Sequence, residues 1–108
     1  MVDAEKRVFL IILDSFGIGE APDAENFGDI GSNTFRSLLN TGRLKIDNLL
    51  SLGFGNIEGV EYPVKAEKHK AVVARMREAS MGKDTTIGHW EIGGHISNTP
   101  LPTFPDGF

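Results

Sequence analysis

Cysteine is absent from this 108-residue sequence, which excludes disulfides and thiolate metal sites. Long apolar runs are also absent, and the run at 8–13, six residues long, is too short to cross a bilayer or to act as a signal peptide. The net charge of −4 gives no electrostatic reason to expect nucleic acid or an anionic membrane as a partner. These properties predict a cytoplasmic protein that binds neither nucleic acid nor a membrane.

The length and the end of the sequence indicate a piece of a domain. A chain of 108 residues is near the size of one domain, roughly 100 to 150 residues. Its last segment, TFPDGF, forms a turn and leaves Phe104 and Phe108 with no element to bury them. Two or three strand candidates cannot complete a sheet of ordinary size, so we expect the missing strands to come from elsewhere.

The most informative stretch is the apolar run 8–13, which leads directly into Asp14. An unbroken run of branched side chains is typical of a strand covered on both faces, as in a parallel sheet. We therefore predict an α/β fold with a mostly parallel sheet flanked by helices. Ligands of such sheets bind at the carboxyl ends of the strands, where Asp14 lies, and Gly17 and Gly19 allow a sharp turn there. The alternative is that Asp14 opens a turn by bonding its own backbone two residues on.

Residues 20–80 contain structural elements and no chemical motif. The stretch 20–32 predicts a long loop whose acids, Asp23, Glu25 and Asp29, are solvated. Two short helices follow, one capped by Ser32 or Asn33 and ending before Gly42, the other capped by Asp47 or Asn48 and ending at Gly53. On the first of them Phe35, Leu38 and Leu39 share one face. The alternation after His69 predicts a half-exposed strand.

The second informative stretch, 81–95, predicts a helix that begins at Asp84 or Thr85. Free amides and the dipole at a helix N-terminus favour anions, so a phosphate on or near Thr85 would be stabilised there. Thr85 is therefore a candidate nucleophile, and the alternative is a simple N-cap. Lys83 either adds positive charge to this site or is solvated.

Several familiar motifs fail in this sequence. GIGEAP has Pro22 where a dinucleotide-binding motif needs its third glycine, and MGKD lacks the hydroxyl residue and upstream glycine of a P-loop. His89 and Glu91 match half of a zinc deaminase signature whose cysteines are missing. His89 and His95 are six residues apart and do not share a helical face, which disfavours them as a metal pair.

Taken together, LDSFGIGEAPDAENFGDIGSNTF, GKDTTIGHWEIGG and PLPTFPDGF resemble the amino-terminal part of the phosphopentomutase family, within the alkaline phosphatase superfamily. The resemblance implies an enzyme that moves a phosphoryl group between carbons 1 and 5 of ribose or deoxyribose. It implies a phosphothreonine and two manganese ions, with magnesium or another divalent ion possible. The family's metal-ligand aspartate falls on Asp14. Its phosphorylated threonine, also a metal ligand, falls on Thr85 and not on Thr86, because it directly follows the Lys-Asp pair.

The resemblance also implies a division of the chain. Residues 1–99 correspond to the amino-terminal part of the metal-binding core, and residues 100–108 begin the connection toward a cap domain that is absent from this sequence. The family's remaining ligands and its cap lie downstream. We therefore expect the chain by itself to bind metal weakly, to show no mutase activity and to self-associate.

Two alternatives remain open. One is a related enzyme of the superfamily, such as a cofactor-independent phosphoglycerate mutase or a phosphatase. Those mutases carry a serine in a GNSEVGH-like stretch where this sequence has GKDTTIGH. The other is a truncated domain without catalytic activity.

Overall fold

The computed structural model describes residues 6–107, so the predictions for Phe108 and for the first five residues lie outside the described residues. Three short α-helices occur in this range: α1 (Thr34–Asn40), α2 (Asp47–Leu52) and α3 (Thr85–Ile92). Single 3-10 turns lie at Ala24–Phe27 and Phe54–Asn56. None of these helices is long and apolar enough to cross a membrane.

The prediction of an α/β fold with a parallel sheet is wrong, because no strand is present between residues 6 and 107. The run 8–13 is not helical, but its side chains are exposed, from 94% at Val8 to 41% at Ile12. A strand exists only through hydrogen bonds to a neighbouring strand, and this part of the chain supplies none. The half-exposed strand predicted after His69 is wrong for the same reason, and Val72 and Met76 are almost fully exposed.

Helix α1 confirms the sequence prediction. Asn33 is its N-cap, and the side-chain Oδ1 of Asn33 accepts the backbone N–H of Arg36 at 2.8 Å. The helix ends before Gly42, which has a φ of 66°. Phe35 is 2% exposed, so α1 contributes one large side chain to the core.

Helix α2 confirms the predicted end and corrects the predicted start. Gly53 is its C-cap with a φ of 106°, a left-handed conformation that glycine adopts without steric cost. The N-cap is Ile46, and Asp47 is the first residue inside the helix. An aspartate in the first turn still stabilises the helix through its dipole.

Few apolar side chains are buried within residues 6–107, namely Ala24, Phe35, Val60 and Ile87. Phe35 packs edge-on against Phe16 and Phe54, with ring centres 6.4 Å and 5.1 Å apart, and Tyr62 borders this group. Ile87 of α3 is completely buried elsewhere. The radius of gyration is 17.2 Å, whereas a compact domain of this length has about 13 Å. Residues 6–107 therefore form an open arrangement with much apolar surface uncovered.

Candidate active site

Helix α3 begins where the sequence predicts, and Asp84 is its cap. The Oδ1 of Asp84 accepts the backbone N–H of Ile87 at 3.0 Å. Thr85 is thus the first helical residue, and the alternative that Thr85 itself caps the helix is wrong. The side chains of Thr85 and Thr86 both lie at the exposed start of α3. Capping by Asp84 leaves the Thr85 hydroxyl available for other chemistry.

A tight turn at Gly82 fixes the start of α3. Gly82 has a φ of 117°, and a Cβ at this position would lie 2.9 Å from Cδ1 of the buried Ile87. Only glycine fits this conformation and this close approach. Gly82 and the buried Ile87 are thus closely packed beside the start of α3.

Asp14 lies in a turn that is tied to α1. The backbone N–H of Ser15 donates to Oδ1 of Asp14 at 2.9 Å, so the carboxylate bonds the backbone one residue on and not two residues on as the turn-forming alternative expected. Ser15 has a φ of 58°, which costs a non-glycine residue on the order of 1 kcal/mol. Two hydrogen bonds hold this strained turn: Thr34 Oγ1 donates to the Ser15 carbonyl at 3.4 Å, and the Phe35 amide donates to the Gly17 carbonyl at 2.9 Å.

Asp14 and Thr85 line the same cavity although they are far apart in the sequence. This cavity, called cavity 1 below, has a volume of about 680 Å³. Its walls come from the turn after residue 13, the extended stretch before Gly82, and α3. Its lining residues are Asp14, Ser15, Met76, Arg77, Glu78, Lys83, Asp84, Thr85, Gly88, Glu91 and Ile92. The structure thus brings together the two residues that the sequence singled out.

Lys83 is engaged in ion pairs and is not simply solvated. Its Nζ lies 2.9 Å from Oδ1 of Asp23 and 3.2 Å from Oε2 of Glu78. Burial alone would lower the pKa of Lys83, but the hydrogen bonds to Asp23 and Glu78 outweigh burial and raise it. The hydrogen bond from Lys83 in turn lowers the pKa of Asp23. The expectation that Asp23 is merely a solvated loop acid is therefore wrong.

Glu91 is a residue of cavity 1 that the sequence reasoning did not recognise. Its two carboxylate oxygens accept the backbone N–H groups of Ala79 at 2.8 Å and Ser80 at 2.7 Å. The Ser80 hydroxyl and these two amides hold the pKa of Glu91 below its ordinary value. Glu91 thereby fastens α3 to the stretch before Gly82. The GHWE motif contains Glu91, but nothing in that motif reveals backbone partners more than ten positions away.

The histidines of this region make other contacts. His89 donates from Nδ1 to the backbone carbonyl of Thr85 at 2.7 Å, and the ring of His95 packs edge-on against Trp90 at 6.0 Å. No group of three or more histidine, aspartate or glutamate side chains within residues 6–107 is arranged to hold a metal ion. Asp14 and Thr85 offer the hard oxygen donors that divalent ions prefer, but a complete site needs more ligands than these two.

Comparison with curated proteins finds similarity to one kind of enzyme over 95% of the chain. A phosphopentomutase from Lachnoclostridium phytofermentans is 54% identical over 104 residues, which are 95% of this chain. Phosphopentomutases from two strains of Clostridium kluyveri are each 49% identical over the same share. The chain resembles phosphopentomutases. This confirms the resemblance suggested by the motifs.

The similarity covers only part of these phosphopentomutases. The chain spans 27% of the length of each of the three relatives, which is consistent with an amino-terminal segment. No protein-family model matches the chain. The motifs GKDT and GHWE, which carry Thr85 and Glu91, both contribute residues to cavity 1.

Proposed function

We propose that the protein containing this segment is a phosphopentomutase, an isomerase of pentose phosphate metabolism that acts in the cytoplasm. It interconverts ribose 1-phosphate and ribose 5-phosphate, and the corresponding 2-deoxyribose phosphates. The similarity to three phosphopentomutases over 95% of the chain supports this proposal. The observation that carries the site assignment is the presence of Asp14 and Thr85 on one cavity.

Thr85 is the residue that carries the phosphoryl group between the two sugar oxygens. Its hydroxyl lies at the start of α3, where unpaired backbone N–H groups and the helix dipole favour the negative charge of a phosphoryl group. Capping by Asp84 leaves this hydroxyl without a hydrogen-bond partner among residues 6–107. Thr85 is therefore placed to accept a phosphoryl group and to release it again.

Asp14 is the residue of this segment that holds a divalent metal ion together with Thr85. Manganese is the ion we propose, with magnesium as an alternative, because both bind carboxylate and hydroxyl oxygens. Such ions, when bound, neutralise the oxygens of the transferring phosphoryl group. Residues 6–107 contain no group of three or more histidine, aspartate or glutamate side chains arranged to hold a metal ion, so we expect further ligands from the rest of the longer protein. The 108-residue chain alone should therefore bind metal weakly and show no mutase activity.

The related enzymes of the superfamily are a weaker alternative. A phosphoglycerate mutase or phosphatase could use the same pair of residues, but the relatives reported above are all phosphopentomutases. No feature of cavity 1 favours a three-carbon acid over a pentose phosphate.

The test is direct conversion by the full-length protein. Purified protein with manganese should convert ribose 1-phosphate to ribose 5-phosphate, and phosphorus NMR measures this conversion. Chelation of the metal should stop the reaction. Phosphoglycerate and a generic phosphate ester serve as comparison substrates. Conversion or hydrolysis of these in place of ribose 1-phosphate would contradict the proposal.

A further inference from the structure

Lys83 joins three separate parts of the chain. Its Nζ contacts Asp23 at 2.9 Å, Glu78 at 3.2 Å and the centre of the Phe27 ring at 4.9 Å. Asp23 and Phe27 belong to the loop 20–32, and Glu78 belongs to the extended stretch before Gly82. Lys83 itself lies two positions before Thr85. One cation therefore connects the loop, the extended stretch and the start of α3, and we call these four residues the Lys83 cluster.

The Lys83 cluster is partly shielded from water. The side chain of Lys83 is 21% exposed, that of Glu78 is 27% exposed, and that of Asp23 is 42% exposed. Isolated surface ion pairs contribute little, but networks with shielded charges are screened less by salt. A lysine held by two carboxylates and an aromatic ring is such a network.

The loop segment that Lys83 holds is itself ordered by local hydrogen bonds. The Asn26 amide donates to the Asp23 carbonyl at 3.0 Å, and the Asp29 amide donates to the Ala24 carbonyl at 3.0 Å. Ala24 is buried. Attachment at Asp23 and Phe27 therefore positions the whole turn 23–29 and not one side chain alone.

The Lys83 cluster lies in the wall between two cavities. Lys83 and Glu78 line cavity 1 and also a second cavity of about 760 Å³, to which Asp23 contributes. The loop is thus fastened at the boundary of the cavity that contains Thr85. Loss of the Lys83 ion pairs would remove the attachment of the loop at this boundary.

We propose that Lys83 is a positioning residue that fastens the loop 20–32 to the start of α3 and so fixes the orientation of Thr85. Its effect on phosphoryl transfer rests on the function proposed above. Lys83 acts through Thr85 and through the loop, since its Nζ is already occupied by two carboxylates.

The attachment is tested by amide hydrogen exchange in the full-length protein. Lys83→Met keeps the apolar stem and removes the charge, whereas Lys83→Arg keeps the charge. Loss of the ion pairs should speed exchange of the Asn26 and Asp29 amides about two- to fivefold in Lys83→Met, with Lys83→Arg close to the unmodified protein. Lys65→Met, at an exposed lysine outside both cavities, is the control and should leave these amides unchanged.

The positioning role is tested by the rate at which Thr85 becomes phosphorylated, measured by mass spectrometry. A misplacement of a reacting group by about 1 Å can lower the reaction rate on the order of 100-fold. Lys83→Met should therefore slow phosphorylation of Thr85 roughly 10- to 100-fold. KM for the pentose phosphate should change less than about twofold, and Lys83→Arg should restore most of the rate. Asp23→Asn should weaken the same attachment, and its effect should not add to that of Lys83→Met.

Two results would overturn the proposal: unchanged amide exchange in Lys83→Met, or a loosened loop with an unchanged rate of Thr85 phosphorylation. A protein that never phosphorylates Thr85 would contradict the proposed function instead. In that case amide exchange still decides whether Lys83 fastens the loop. The exchange rates are compared between Lys83→Met, Asp23→Asn and the double variant that combines them.

Discussion

At the scale of single residues, Thr85 and Thr86 differ in what the structure offers them. Both hydroxyls are exposed at the first turn of α3, but Thr85 lines cavity 1 and Thr86 does not. His89 donates to the Thr85 carbonyl at 2.7 Å, which further fixes the backbone at Thr85. Adjacent helical side chains point about 100° apart, so only one of the two can face the cavity.

Replacement of the two threonines separates these roles. In the full-length protein, Thr85→Ala should abolish the phosphoryl-enzyme and slow mutase turnover at least about 1000-fold, because no other group replaces a lost nucleophile. Thr86→Ala is the matched control and should keep both the phosphoryl-enzyme and the normal mutase turnover. Phosphopeptide mapping after incubation with the pentose phosphate makes the measurement. Phosphate found on Thr86 would contradict the assignment of Thr85.

Asp14 is the second residue whose role can be isolated. Replacing a residue that only orients a metal ligand typically lowers metal affinity or activity about 10- to 100-fold. Loss of the ligand itself in Asp14→Ala should therefore slow manganese-dependent phosphoryl transfer by more than about 100-fold. The protein should stay folded, since the Asp14 side chain is exposed. Asp29→Ala, at an exposed acid outside cavity 1, should behave like the unmodified protein. Manganese titration and the activity assay together check this, and normal activity in Asp14→Ala would refute the assignment.

The sequence could single out Asp14 and Thr85 because each follows a local pattern. A carboxylate after an apolar run and a hydroxyl at a helix start can both be recognised from neighbouring residues. Glu91 and Asp23 could not be recognised in this way. Their partners, the amides of Ala79 and Ser80 and the ammonium of Lys83, lie from 11 to 60 positions away in the sequence.

At the scale of elements, the helices agree with the sequence predictions apart from the start of α2, whereas the predicted strands are absent from residues 6–107. The start of α1 depends on one hydrogen bond, which the Arg36 amide three residues on donates to Oδ1 of Asn33, and the end of α2 depends on Gly53. These signals are contained in a few adjacent residues. A strand at 8–13 requires a partner from another part of a sheet, and residues 6–107 provide no such partner. The apolar pattern indicates burial on two faces but cannot create the neighbours.

Helix α3 is held in place by Glu91, and this gives a prediction about pH. The pKa of Glu91 is lowered in the folded protein, so its stabilising contact is fully present above its ordinary value of 4.5 and is lost as the pH falls through the lowered value. In the full-length protein, the Ala79 and Ser80 amides should therefore become less protected from hydrogen exchange when the pH is lowered below about 4.5. The measured exchange rates are corrected for the pH dependence of intrinsic amide exchange.

The Glu91→Gln variant should show reduced protection at neutral pH and little further change on acidification, because glutamine cannot ionise. Glu25→Gln, at an exposed glutamate of the loop 20–32, is the control. In this variant the protection of Ala79 and Ser80 should change with pH as it does in the unmodified protein. Equal protection of Ala79 and Ser80 in the Glu91→Gln variant and the unmodified protein at neutral pH would contradict the anchoring role of Glu91.

At the scale of the whole molecule, residues 6–107 leave a large apolar surface uncovered. All six side chains at 8–13 are exposed by 41% or more, and Val72 and Met76 are 97% and 88% exposed. Monomeric proteins rarely expose an apolar patch larger than several hundred Å². An extended apolar segment with unpaired backbone groups is also a template for pairing with another chain. Both properties favour contact between copies of this chain when it is studied alone.

We therefore predict that the 108-residue chain self-associates. Sedimentation velocity should show species larger than the 11.8 kDa monomer, in proportions that rise with concentration. The double variant Phe9→Lys with Ile11→Lys should increase the monomer fraction, because charges placed on an exposed edge oppose pairing. Ser32→Lys with Asn40→Lys adds the same charge at exposed positions outside residues 8–13 and should leave association unchanged. A stable monomer at all concentrations would contradict the prediction of self-association.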